Sequence, residues 1–203
     1  MDLSFLLPLF LLIVVFGIAV FTVILEFYMI VLGPLKGAPY VPSKREKIRT
    51  MLELARIKPG EIAVDLGSGN GAVVIEAALQ GARAIGIEIN PFLTWYAKKR
   101  ARRAGVQNRA TFIRQNFKRY SLENADVVFL YLLPKTTREL REKLSRELKP
   151  EARVVSNTFQ IPEWEPSESR DSVFLYQPNR YHSTIPPGRE KIEPWTENLS
   201  SKI

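Results

Sequence analysis

The feature that most constrains this 203-residue chain is an uncharged run of 23 residues, Leu3 to Leu25, set between Asp2 and Glu26 and rich in Leu, Ile, Val and Phe. As a helix rising ~1.5 Å per residue it would reach roughly 34 Å, enough to cross a hydrocarbon core. Apolar character resumes from Phe27 to Leu32 and stops at Gly33-Pro34. Phe27 and Tyr28 suit an interfacial aromatic belt. A cleaved signal peptide would carry a basic leader and a small-residue cleavage site. Only Met1-Asp2 precedes this run and no clear A-x-A follows it, so the run reads as an uncleaved transmembrane helix. No Lys or Arg lies before it, whereas Lys36, Lys44, Arg45, Lys47 and Arg49 come after it. The positive-inside rule then predicts a single-pass topology, N-terminus outside and body in the cytoplasm.

The body is basic. The whole chain carries 29 Lys+Arg against 21 Asp+Glu, net +8; without Asp2 and Glu26 the part from residue 36 onward stands at +10. Such a balance favours anionic surfaces, lipid headgroups or nucleic acid, without choosing between them. Hydrophobic residues make up 46% of the chain, enough for a packed core. There is no cysteine, which excludes disulfides, thiolate metal sites and cysteine nucleophiles. The lone histidine, His182, excludes paired-histidine zinc motifs and argues against a Ser-His-Asp enzyme; it reads as structural. No metal site is expected.

Periodicity behind the anchor predicts alternating strands and helices. Residues 36–43 form a proline-containing linker, and Ser43-x-x-Glu46 reads as a capping box opening a helix over about 44–56. Strands are predicted at 61–66, 83–88, 109–114, 126–133 and 153–158, with helices at 72–80, 91–104 and 134–148. Pro91 suits a first-turn position, and Gly105 and Pro150 suit terminators. Two last strands are expected at 172–177 and 180–185, around Pro178-Asn179. The pattern predicts an α/β fold: a Rossmann-like, doubly wound, seven-stranded sheet with an antiparallel terminal pair, preceded by one transmembrane helix. The expected organisation is an anchor at 1–34, a linker at 35–43, one α/β domain at 44–187 and a loose tail at 188–203.

Ligands of such sheets bind at the carboxyl ends of the strands. There the sequence reads Val64-Asp65-Leu66-Gly67-Ser68-Gly69-Asn70-Gly71. Glycines after a first strand let backbone approach a ligand, but by themselves they also satisfy a dinucleotide fingerprint. Asp65 separates the two. A carboxylate beside the turn would repel a pyrophosphate and suit a ligand with a positive amino group, as in S-adenosylmethionine (SAM). Glu88, twenty-one residues after Gly67, can accept from both hydroxyls of a ribose and fits either nucleoside.

These segments, D-L-G-S-G-N-G and then G-I-E-I-N-P, resemble motif I and its successor in class I, seven-β-strand SAM-dependent methyltransferases. Pro39-Tyr40-Val41-Pro42-Ser43, Tyr131-Leu132-Leu133-Pro134 and Leu148-Lys149-Pro150…Val155-Ser156-Asn157 resemble one branch, the membrane-anchored protein-lysine methyltransferases of the ATP synthase c-subunit and adenine nucleotide translocase group and their prokaryotic homologues. The resemblance implies that Asp65, Gly67 and Gly69 hold the methionine part of SAM, that Ser68 and Gly71 also bind the cofactor, and that Glu88 holds the ribose with Asn90 nearby. It implies that Asn116 stands where an acid commonly reads the adenine amino group, beside the Phe117 backbone N–H. Tyr40 would close over SAM from the linker or staple the first helix. Tyr131 and Pro134, with nearby carbonyls, would orient the substrate amine, unless they only end a buried strand and start a helix.

The implied reaction is in-line methyl transfer to a lysine of a membrane or membrane-adjacent protein. Neutralising a lysine of reference pKa about 10.4 at pH 7 costs roughly 4.6 kcal/mol, which a low-dielectric pocket lowers. Alternatives are a lipid or quinone-like methyl acceptor, a non-catalytic SAM-binding scaffold and, more remotely, a nicotinamide oxidoreductase. The basic run Lys98–Arg103 reads first as a solvated face, then as a membrane contact and last as a nucleic-acid contact, because the run contains no interleaved aromatics. Trp164 has no assigned role.

Overall fold

In a computed structural model of the protein, residues 6–27 and 41–178 are described. The elements run α1 (Leu6–Phe27), α2 (Arg45–Ala55), β1 (Ile62–Leu66), α3 (Ala72–Leu79), β2 (Arg83–Glu88), α4 (Pro91–Arg103), β3 (Ala110–Arg114), β4 (Val127–Leu130), α5 (Pro134–Glu147), β5 (Arg153–Asn157), β6 (Glu168–Arg170) and β7 (Val173–Tyr176). One seven-stranded sheet has the order β3-β2-β1-β4-β5-β7-β6. β1 to β5 are parallel, and β7 lies antiparallel between β5 and β6. Chain order reverses between β1 and β4, which makes the carboxyl ends of these strands the switch point. The expected doubly wound sheet with an antiparallel end is the observed one.

Helix α1 covers most of the apolar run. Its 22 residues give roughly 33 Å at ~1.5 Å each, and among the described residues it is the helix long and apolar enough to span a bilayer.

Strands buried on both faces read as continuous apolar runs. On one face, Ala63, Ala84, Phe112 and Phe129 meet α2, α3 and α4. On the other, Val64, Ile87, Leu130 and Val154 meet α5 through Leu140 and Leu144. Trp164 belongs to this second core: it is buried, its ring centroid lies 5.9 Å from that of Tyr176, and the Tyr176 hydroxyl accepts from Ile161 N at 3.0 Å. Arg153 locks the start of β5 to α2. Its Nη1 donates to the terminal carbonyls of Ala55 and Arg56, the latter at 2.7 Å, while Nη2 pairs with Glu61 at 2.6 Å. Orphan carbonyls of the helix end thereby gain partners.

Several expectations are corrected. The capping box does not form: Lys44 is the N-cap of α2 and gives no side-chain cap. Ser43 is drawn instead to the end of β5, where its hydroxyl accepts from Asn157 Nδ2 at 3.5 Å. β4 ends at Leu130 rather than 133, because the chain turns to place Pro134 at the first position of α5. The β3–β4 crossing carries only a 3₁₀ turn, Phe117–Arg119, so the regular β/α alternation is interrupted there. The partner of β7 precedes it, at Glu168–Arg170, instead of following it. Residues 180–185, with His182, lie outside the described residues, as does Tyr40.

Candidate cofactor-binding site

β1 delivers Asp65 and Leu66 to the switch point, and the backbone then enters left-handed conformations at Gly67 (φ 85°), Gly69 (φ 52°) and Gly71 (φ 75°). L side chains are strained there, so glycine is needed. The turn is anchored to β2. Gly67 N and Ser68 N both donate to Ile87 O, at 2.9 and 3.0 Å, and Gly71 N closes back on Ser68 O at 2.8 Å. From across the turn, Arg100 of α4 donates to Asn70 O at 2.9 Å.

A cradle lies under this turn. A Cβ on Gly71 would stand 2.5 Å from Phe112 Cε1 and 2.9 Å from Ala97 Cβ; one on Gly86 would stand 2.6 Å from Ser68 Oγ and 2.8 Å from Phe112 Cδ1. The Phe112 ring therefore needs glycine at both positions. Sequence reasoning misses Gly86, although a glycine inside a strand signals close approach. Ser68 is corrected in this respect: its side chain turns inward against Gly86, and its hydroxyl is buried with no hydrogen-bond partner. Its backbone N–H is likewise engaged on Ile87 O, so what it keeps for a ligand is the second lone pair of its carbonyl.

Two acids face the helices α2–α4 side of the sheet. Asp65 pairs in register with Gly86, and Glu88 follows two residues later on the same face of β2. Glu88 is buried and held from both sides: Oε2 accepts from Gly69 N at 2.9 Å and Oε1 from Asn90 N at 2.8 Å. Each oxygen retains a lone pair for a further donor. Asp65 is only 7% exposed and receives no hydrogen bond from a described residue. Burial, reinforced by the nearby charge of Glu88, pushes its carboxyl up to about 7.

Both asparagines serve as caps. Asn90 Oδ1 accepts from Phe92 N at 2.9 Å and Leu93 N at 3.2 Å, with Pro91 at the first turn of α4. Its contribution to the site is therefore its backbone N–H on Glu88. Asn116 Oδ1 accepts from Lys118 N at 3.0 Å, capping the turn that starts at Phe117. That leaves the oxygen one lone pair for a ligand.

Beyond β4, Tyr131 is half-buried with its ring 6.4 Å from that of Phe159, which follows β5. The Leu133 carbonyl is occupied by Thr136 N and Thr137 N at the head of α5, so among the nearby carbonyls it is withdrawn from any amine. Pro134 is the first residue of that helix and acts through its fixed φ.

A glycine cradle beside a buried carboxyl that no described residue partners does not suit a diphosphate. It fits a ligand with an ammonium group and a nucleoside, which is the chemistry of SAM. Fold and site together define a class I SAM-dependent methyltransferase. The model of the ANTKMT methyltransferase domain matches residues 65–168, beginning at Asp65 itself. The human lysine N-methyltransferase of the ATP synthase c-subunit is 35% identical over 157 residues, 75% of this chain and 65% of that protein. A protein-lysine N-methyltransferase of Saccharolobus islandicus is 39% identical over 132 residues, 64% of this chain and 82% of that protein. A crystal structure of an RNA methyltransferase from Salinibacter ruber with S-adenosyl-L-homocysteine has TM-score 0.68 and 35% identity, covering 74% of this chain and 100% of that one. The chain belongs to the ANTKMT methyltransferase family, whose cofactor is SAM, and it spans just under two thirds of the human relative's length.

Proposed function

We propose that the protein is a protein-lysine N-methyltransferase held at a membrane by α1, N-terminus outside and the sheet domain in the cytoplasm. Relatives on both the animal and the archaeal side carry the lysine N-methyltransferase name, and the apolar α1 supports the tether. The observation that carries the reading is Asp65, a buried acid without a partner among the described residues, beside a left-handed glycine turn.

In this reading Asp65 gives its charge to the ammonium of SAM, and the Gly67–Gly71 backbone makes room for the methionine chain. Glu88, already fixed by two backbone N–H groups, accepts from the ribose hydroxyls. Asn116 and the Phe117 N–H face the adenine, and Tyr40 approaches from the linker. SAM supplies an activated methyl group. Positioning the acceptor is then most of the catalytic task. Tyr131, braced on Phe159, orients the lysine nitrogen and helps exclude water, which favours its neutral form.

Two experiments test this. Calorimetry with S-adenosyl-L-homocysteine should show binding, and its absence removes the reading at its base. Labelled SAM incubated with native membranes should mark a lysine, located by mass spectrometry. Label recovered only in lipid extracts or only in RNA would assign another acceptor, and binding without transfer would leave a scaffold.

A further inference from the structure

Helix α4 presents a stripe that the site does not use. Phe92 and Trp95 are 58% and 55% exposed, and Ile89 and Tyr96 are exposed beside them. The rings form one cluster: Phe92 lies 5.8 Å from Trp95 and is stacked on Tyr96 at 6.4 Å. The basic run continues the same stripe. Lys99 Nζ lies 5.3 Å over the Trp95 ring. Arg100 is spent on Asn70, and Ala97 and Ala101 face the core, which leaves Lys98, Lys99, Arg102 and Arg103 at the surface. The aromatics absent from the run itself are thus supplied one turn earlier.

The aromatic end of α4 lies at the carboxyl edge of the sheet. Two more apolar side chains stand exposed at that edge: Leu133 after β4, and Val41, just before the Ser43 that contacts the end of β5. Rings with adjacent Lys and Arg are the composition of a protein face at a bilayer interface, rings at headgroup depth and cations on anionic lipid. Seventeen residues separate α1 from α2, a tether reaching at most about 60 Å.

We propose that the α4 stripe is a second membrane contact, docking the domain on an anionic lipid surface with the carboxyl edge of the sheet toward the bilayer. The proposal rests on the membrane reading above and adds the surface and its lipid chemistry. It directs the candidate site to acceptors that lie close to the headgroups.

The chain has no cysteine, so a single introduced one can carry a fluorophore. Full-length protein with Tyr96→Cys, and separately with Arg138→Cys on α5 as control, is reconstituted with phosphatidylcholine vesicles containing a bromolipid, with or without phosphatidylglycerol. The expected result is quenching at position 96 in anionic vesicles only, its loss in high salt or in the Lys98/Lys99/Arg102/Arg103→Gln variant, and no quenching at 138. Thermal melting of the variant confirms that it is folded. An unquenched label at 96 on protein that still floats with anionic vesicles overturns the docking surface and leaves the anchor standing. Equal quenching without anionic lipid overturns it as well. Quenching at 96 by protein that washes off in alkali supports the surface and removes the anchor. A label that ignores anionic vesicles but is shielded by an RNA oligonucleotide overturns the proposal in favour of nucleic acid.

Discussion

Asp65 and Glu88 occupy the same face of neighbouring parallel strands, two residues apart in register, but their surroundings differ. Glu88 is satisfied by the N–H groups of Gly69 and Asn90. Asp65 has burial against it and the charge of Glu88 beside it, and its carboxyl rises to about 7. A cationic ligand reverses both penalties. Binding of S-adenosyl-L-homocysteine should therefore release a proton from the protein at acid pH. Affinity should rise by up to about tenfold per pH unit below pH ~7 and level off above it. Calorimetry in buffers of different ionisation enthalpy reads the released proton directly. An Asp65→Asn variant should bind roughly ten- to a hundredfold more weakly and lose the pH dependence.

The ligand-free protein should show a corresponding stability profile. Asp65 has a raised folded value, so the folded state holds more protons than the unfolded one between pH ~4 and ~7. Stability then falls as pH rises through that window, by on the order of 4 kcal/mol at most. Asp126 acts in the opposite sense. Burial raises its carboxyl, but the Lys149 side chain and the Ile62 N–H outweigh burial and hold it below its usual value. Its stabilisation is complete above its unfolded value and lost as pH falls through the lowered one. Urea unfolding across pH should separate the two: Asp65→Asn should abolish the decline toward neutrality, and Asp126→Asn should blunt the loss in acid.

Beneath the turn, Ser68 and Gly86 predict a pair of opposed outcomes. The Ser68 hydroxyl is buried and unpaired, so Ser68→Ala should hold or raise stability, by up to about 1 kcal/mol, and leave S-adenosyl-L-homocysteine affinity unchanged. Gly86→Ala drives a methyl into Ser68 and Phe112. Overpacking of this kind typically costs about 1–3 kcal/mol, and here it should also shift the turn and weaken binding. Thermal melting with and without the ligand checks both; weaker binding by Ser68→Ala would give its hydroxyl a ligand role after all.

The elements legible in the sequence were those whose signal is local. β1, β2 and β4 are apolar runs buried on both sides, and Pro91 and Pro134 mark helix starts that the fold uses as expected. The Asp65 turn was legible because glycine at left-handed positions and an acid at a strand end each have few physical explanations. Elements set by tertiary partners were not. Ser43 looks like a cap but is claimed by Asn157, 114 residues away. β6 is three polar or charged residues on the sheet edge, with no alternation to betray it. Asn90 spends its side-chain oxygen on two N–H groups of the next turn, and Asn116 gives one lone pair of its own to Lys118 N, so local capping shares both residues with any ligand role. The exposed stacking of Phe92 on Tyr96 follows from helical spacing, but only the fold shows that no described residue covers it.

Tyr131 offers the sharpest test of the acceptor side. Its ring is braced by Phe159 at 6.4 Å, and the Leu133 carbonyl beyond it is occupied by α5. In the proposed reading, the Tyr131 hydroxyl and the carbonyls before Leu133 are the groups that would meet a lysine at this strand end. If the hydroxyl orients the amine, Tyr131→Phe keeps the ring and its packing, so S-adenosyl-L-homocysteine affinity and melting temperature should stay at the parent values while kcat falls roughly ten- to a hundredfold. Phe159→Leu removes the brace and leaves the hydroxyl, so it should raise KM more than it lowers kcat. Steady-state methylation of the acceptor found in native membranes separates the two. A Tyr131→Phe enzyme with unaltered kcat and KM would reduce Tyr131 to the end of a strand and return substrate positioning to backbone carbonyls alone.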